Sequence, residues 1–197
     1  MMTALKQLLY TSEQYLTLER QASYKSEYVN GGIFAMAGAS KEHNQIAFNI
    51  AGELHGQLKS RPCLAYVNDM RVKVNATGLY TYPDMAALCD EPRFEDEQMD
   101  TLLNPSVIVE ILSPSTEAYD RGDKFAHYRR LPSLVEYVLI AQDKVRVEHY
   151  IRQDRRWVLT ELDSLEDRLG LVSIQCEIAL REIYAKVDLP VVRHELR

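Results

Sequence analysis

Cysteine is scarce in this sequence, and the scarcity bears on its chemistry. Cys63, Cys89 and Cys176 stand far apart and make no CxxC pair, so neither a zinc ligand set nor a disulfide framework is indicated. All three read as reduced, buried thiols. Long apolar runs are missing too. No stretch approaches the ~20 apolar residues that a membrane helix needs, and neither end shows a charged segment leading into one. A soluble, cytoplasmic chain with no membrane contact is expected. No GxSxG element occurs and no cysteine is visibly paired with a histidine, so hydrolysis by a serine or cysteine nucleophile finds little support. Positive charge is in deficit, with 23 Lys and Arg against 29 Asp and Glu and a net charge of -6. Binders held by broad phosphate attraction present a wide basic surface. Any contact with nucleic acid is therefore expected to be local.

What is present suits one substantial core: 197 residues, 46% of them hydrophobic, would leave two independent halves small and weakly stabilised. A single domain is expected over 1–189, followed by a flexible charged tail at 190–197 that lacks apolar periodicity. Ser12 is a plausible N-cap for a short amphipathic helix carrying Tyr15, Leu16 and Leu18. Tyr24 to Val29 and Ile33 to Met36 flank Asn30-Gly31-Gly32, which predicts a β-hairpin. Between Ser40 and Lys59 the residues Ile46, Ile50, Leu54 and Leu58 recur every four positions and define one long helix.

Strand-like runs follow at Leu64 to Val67, Met70 to Val74, Met85 to Cys89 and Val107 to Leu112, the last apolar enough to be central and covered on both faces. The acidic stretch Glu91 to Asp100 reads as a solvated loop. Asp120 to Leu131 has helical character, Val135 to Ile140 is again a strand, and Val145 to Tyr150 with Trp157 to Glu161 forms a second hairpin. The alternation gives an α/β (α+β) class.

Tyr82-Pro83-Asp84 precedes one of these strands and Glu110 lies inside another, so neighbouring strands can bring two carboxylates together. Such convergence is costly unless something positive sits there. A hard cation takes oxygen ligands and keeps several waters, so two carboxylates and a phosphate suffice to hold Mg2+. Each residue also has an ordinary reading. Asp84 after proline suits a turn cap, Lys124 an i,i+4 pair with Asp120, and Glu27 a surface pair with Lys25 or Lys41. His43 reads as an early-turn helix residue. Glu110 resists such a reading, because a carboxylate within Val107 to Leu112 would be buried. Arg121, His127, Arg129 and Arg130 form a locally basic stretch that suits either a phosphate backbone or a solvated helix face. Tyr24, Tyr28, Tyr66, Tyr80 and Tyr82 suit either base stacking or strand packing.

Several motifs together carry a resemblance: Glu27-Tyr28-Val29-Asn30-Gly31-Gly32, Ala37-Gly38-Ala39-Ser40 leading to His43, Tyr82-Pro83-Asp84, and Val109-Glu110-Ile111-Leu112-Ser113-Pro114-Ser115-Thr116, with Asp120, Lys124, Tyr128 and Glu136-Tyr137 beyond. Across nearly its whole length the chain resembles the Uma-two family of restriction-endonuclease-like proteins, within the PD-(D/E)XK nuclease superfamily. The resemblance implies a mixed central sheet flanked by helices with added hairpins, DNA as substrate, Mg2+ (or Mn2+) as cofactor, and room for a homodimer. Carried over residue by residue, it makes Asp84 and Glu110 the metal-binding acids of an endodeoxyribonuclease. Beyond what the resemblance assigns, Glu27 could supply a third acid from the hairpin, and His43, near the start of the long helix, could donate to phosphate or serve as a base. The superfamily lysine, two residues beyond the second acid, is replaced here by Leu112. Lys124, about one helical turn into the next element, is its expected substitute. If that substitution fails, the alternative is a nuclease fold without turnover, serving as a nucleic-acid or protein interaction module.

Overall fold

The computed structural model describes residues 9–189; the tail expected at 190–197 lies outside them. The first helix, α1 (Ser12–Glu19), is capped by Thr11, one residue earlier than expected. The Thr11 hydroxyl accepts from the Gln14 amide while the Gln14 side chain accepts from the Thr11 amide. This reciprocal box satisfies two amides, which Ser12 cannot do from inside the helix. The hairpin β1 (Ser26–Val29) and β2 (Gly32–Ala35) turns on Asn30 and Gly31, both at positive φ. The long helix α2 (Lys41–Leu58) is capped by Ser40 and buries the expected stripe of Ile46, Ile50, Leu54 and Leu58.

Two larger sheets follow. The smaller has the order β2-β1-β5-β4-β7, adding β4 (Arg71–Val74), β5 (Leu79–Thr81) and β7 (Thr101–Leu102) to the hairpin. The larger contains β3 (Leu64–Val67), β6 (Met85–Leu88), β8 (Val107–Leu112), β9 (Glu136–Ala141), β10 (Val147–Gln153) and β11 (Arg156–Leu162), in the order β11-β10-β9-β8-β6-β3. Within it only β8 and β9 run parallel. A parallel pair needs a crossover, and here a helical segment supplies it: α3 (Glu117–Tyr119), one wider π-type turn (Asp120–Lys124) and α4 (Phe125–Tyr128).

The pleat of β8 divides the core. Val107, Val109 and Ile111 face α2, together with the small sheet β12 (Arg168–Leu171) and β13 (Cys176–Ala179) and the terminal α5 (Leu180–Ile183). Ile108 and Leu112 face the crossover segment. Glu110 lies between those two in the alternation and so belongs to the crossover face. All six β8 residues are buried, as a strand covered on both faces requires. Among the described residues no helix is long and apolar enough to cross a membrane.

Several expectations are corrected here. Cys63 and Cys89 are joined by a disulfide, and only Cys176 is a buried free thiol. The pair is invisible as spacing because the two cysteines lie 26 positions apart, yet the β3–β6 register, with Leu64 opposite Leu88, sets them face to face. Short β5 and β7, and the β12–β13 hairpin with α5, carry too little periodicity to be read as elements. The acidic loop is pinned rather than freely solvated, because Arg20 binds Asp96 and Asp100, and Lys73 binds Glu95. Tyr28, Tyr80 and Tyr82 are packed inside, and only Tyr24 of the five tyrosines is largely exposed. A base-stacking surface is thereby excluded for the buried three.

Candidate active site

Asp84 sits one residue before β6. Met85 pairs with Val109 and Ala86 with Ile108, so continuing the register sets Asp84 opposite Glu110. The Asp84 carboxylate lies close enough to Glu110 to raise its carboxyl, as residues near one another at one end of an antiparallel pair can do. Asp84 is fixed at both oxygens: Oδ1 lies 2.9 Å from His43 Nε2, and Oδ2 accepts from the Ile111 amide at 2.7 Å. His43 reaches it because the Ser40 cap starts α2 beside this sheet end, where the Ser40 hydroxyl also donates to Gln142 just beyond β9. Its Nε2 is thus engaged with Asp84.

Glu110 is 4% exposed, as is Lys124. The Lys124 ammonium lies 3.0 Å from Glu110 Oε1, 3.2 Å from Glu27 Oε1 and 3.6 Å from Asp120 Oδ1. The i,i+4 contact with Asp120 is therefore the longest of the three, and the cross-element contacts are closer. Tyr128, one turn further, donates its hydroxyl to Glu110 Oε1 at 2.8 Å. Glu27 arrives from β1, where it accepts from the Thr81 hydroxyl. The surface pairings considered for Glu27 are not made: Lys25 binds Asp69 and Lys41 binds Asp188. The wider turn at 120–124 buries both its ends, Asp120 and Lys124, and the Tyr137 hydroxyl holds its Asp120 carbonyl at 3.0 Å. Such turns are rare in helices and concentrate at functional positions.

Burial pushes the Glu110 carboxyl well above the ordinary range; the Lys124 charge opposes this, while Asp120 and Asp84 reinforce it. Asp120 is raised for the same main reason, with Asp84 and Glu27 as its acidic neighbours. Burial alone would lower Lys124, but Glu110, Glu27 and Asp120 outweigh it and keep the ammonium protonated. Three carboxylates, Glu110, Glu27 and Asp120, thus surround one buried ammonium, with Asp84 as a further acidic neighbour that raises Glu110 and Asp120. Mutual repulsion among buried acids is what a bound cation relieves.

The donor chemistry fits a hard divalent ion. All the acids offer oxygen, and two carboxylates with waters and a phosphate make a normal Mg2+ shell. It does not amount to a full protein cage, since among the described residues no three His, Cys, Asp or Glu side chains converge as ligands. Asp84 and Glu110 are the pair that could hold such an ion.

The Uma2 family profile, described as "Putative restriction endonuclease", matches residues 12–181. The chain belongs to the Uma2 family. Two Synechocystis relatives are similar along most of their lengths: "Uncharacterized protein sll1609" is 41% identical over 163 residues, 82% of this chain and 92% of the relative. "Uncharacterized protein slr1290" is 36% identical over 173 residues, 87% and 90% respectively. A crystal structure titled a "putative nuclease belonging to DUF820", from Anabaena variabilis, superposes with a TM-score of 0.70, covering 87% of this chain and 96% of that one at 19% identity. At that identity the likeness speaks for the fold, a mixed α+β nuclease fold. Within this Uma2 chain, Asp120 and Tyr128 were legible as pattern residues but not as members of the site. Their i+4 spacings, Asp120 to Lys124 to Tyr128, were the available signal: three successive turns of one helical face.

Proposed function

We propose that the protein is a metal-dependent endonuclease that hydrolyses phosphodiester bonds of DNA. One observation carries this reading: Lys124 lies 3.0 Å from Glu110, while Leu112, at the position two residues beyond, is packed in the core. The ammonium is thus supplied from the crossover segment to the face that a side chain at position 112 shares with Glu110.

In this reading Asp84 and Glu110 hold Mg2+ (or Mn2+), and the ion's contribution when bound is to activate water and screen charge developing on the phosphate. The chain's own groups do the rest. Lys124 remains protonated, so it acts as a hydrogen-bond donor and charge stabiliser toward the attacked phosphate and not as a base. His43 orients Asp84 by binding Oδ1, which leaves Asp84 Oδ2 fixed by the Ile111 amide. Tyr128 and Glu27 hold Glu110 and Lys124 at their separation, as positioning residues. Water attacks phosphorus and an ester oxygen leaves.

The reading is tested with purified protein and supercoiled plasmid in Mg2+ or Mn2+, with chelator controls. Nicking that requires the metal and disappears in Glu110→Gln is expected. A second reading, binding without turnover, is favoured by the buried ion pairs that already engage Lys124. It would be preferred if DNA is bound but stays intact with every divalent metal tried.

A further inference from the structure

At the end of the large sheet away from Asp84 and Glu110, five arginines from two separate stretches come together. The crossover segment runs back along β8 from Thr116 beside the candidate site. It reaches Ser133, whose hydroxyl donates to the Pro105 carbonyl just before β8 begins. Arg129 and Arg130 close that segment and are exposed. The β10–β11 hairpin returns to the same end, because the Arg152 amide binds the Val135 carbonyl at 2.8 Å. The Arg152 guanidinium locks the two stretches together by donating to the Arg129 carbonyl at 2.8 Å and the Leu131 carbonyl at 2.9 Å. The hairpin tip then presents Arg155 and Arg156, both exposed, after Asp154 in the left-handed conformation of a tight turn.

These arginines differ from the rest of the surface. Elsewhere most arginines are neutralised, Arg20 by Asp96 and Asp100, Arg121 by Glu117 and Glu148, Arg146 by Glu148 and Glu161, Arg168 by Glu177, Arg181 by Glu166, with Arg61 and Arg93 the exceptions among the described residues. Among the described residues Arg129, Arg130, Arg152, Arg155 and Arg156 make no ion pair with a carboxylate. Asp154 is the acid within the turn, and Asp90 and Glu91 follow β6 at the same sheet end. The cluster is also stiffened, with Arg129 over the Phe125 ring at 5.0 Å and Arg152 over the Trp157 ring at 4.8 Å. A chain of net charge -6 that leaves five arginines unpaired in one place concentrates its positive field there.

We infer that this surface binds the phosphate backbone of duplex nucleic acid at a distance from the cleavage centre. The inference rests on the nuclease reading for its ligand. The six residues of β9 separate the two ends by about 20 Å at the usual rise of a strand. That span corresponds to on the order of six base pairs of one duplex. Arginine forks match phosphate oxygens, and such contacts position a duplex without reading its sequence.

Binding is measured apart from cleavage, in chelator, by anisotropy of a labelled duplex of about 20 base pairs and by the fluorescence of Trp157, the chain's one tryptophan. The full chain is compared with Arg129→Gln/Arg130→Gln/Arg155→Gln/Arg156→Gln and with the paired-arginine control Arg168→Gln/Arg181→Gln. The expected result is at least a tenfold loss of affinity in the fourfold variant. Its slope of log affinity against log salt should be shallower by roughly three to four, with the control unchanged and Trp157 emission altered only on DNA addition. Equal affinity and slope in all three proteins, no duplex binding by the unaltered chain at low salt, or equal competition by polyglutamate would each overturn the inference. Metal-dependent nicking is scored separately, so an intact Arg-dependent affinity without nicking would count against the nuclease reading alone.

Discussion

The Lys124 ammonium meets Glu110 from the crossover helix at 3.0 Å, and Asp84, one residue before β6, holds the amide of Ile111, the residue after Glu110, at 2.7 Å. Lys124 is buried among three carboxylates, so replacing it with the near-isosteric Lys124→Met strands their charge. A loss of about 3–5 kcal/mol against urea at pH 7 is expected. Adding Glu110→Gln to the same chain should return part of it, because the two side chains are coupled. A neutral effect of Lys124→Met would show that the ammonium does not balance the cluster.

Tyr128→Phe removes one hydroxyl and little volume. The hydroxyl donates to a buried carboxylate at 2.8 Å, so about 1–3 kcal/mol of stability should go with it. Metal-dependent nicking should fall as well, because Glu110 loses the donor that fixes Oε1. Unchanged stability and turnover would remove Tyr128 from the site.

Glu136 gives a pH test away from the cluster. Burial would raise its carboxyl, but His149 Nε2 at 2.8 Å and the Ser173 hydroxyl and amide outweigh that and hold it below the ordinary carboxylate value. A carboxyl depressed on folding contributes stability that is complete above its unfolded pKa and is lost as pH falls toward its folded one. Urea midpoints should therefore fall with acidification below about pH 4.5, the unfolded reference, and Glu136→Gln should flatten that part of the profile. The same slope in the variant would contradict this assignment.

Cys63–Cys89 closes a loop with a sequence separation of 26, which corresponds to about 3 kcal/mol in the chain-entropy treatment. Thiol titration of the denatured, unreduced protein should find one free cysteine. Reductant should lower the melting temperature by roughly 10 °C, and Cys63→Ser/Cys89→Ser should melt low with or without it. Three titratable thiols in the unreduced protein would rule the bond out.

Much of this was legible in the residues. The α2 stripe, the β1–β2 hairpin and the six-residue β8 each repeat one period long enough to be unambiguous, and Glu110 stood out as the charge inside an apolar run. What stayed hidden depends on contacts between distant segments. The four-residue edges of β3 and β6 give no hint that Cys63 faces Cys89. Thr101–Leu102 is too short to carry a period. Glu27 looked like a surface residue because its partner, Lys124, is 97 positions away, and that pairing exists only once β1 and the crossover pack together. Arg129 and Arg130 looked like one side of a helix, and joined the hairpin arginines only through the Arg152 hydrogen bonds.

The most direct test is a calorimetric titration of Mn2+ into the unaltered chain and into Asp84→Asn, with matched melting curves to confirm that both are folded. One binding site in the unaltered chain, weakened at least tenfold in Asp84→Asn, is the expected result. Identical heats in the two proteins, or none in either, would mean that Asp84 and Glu110 do not share a cation.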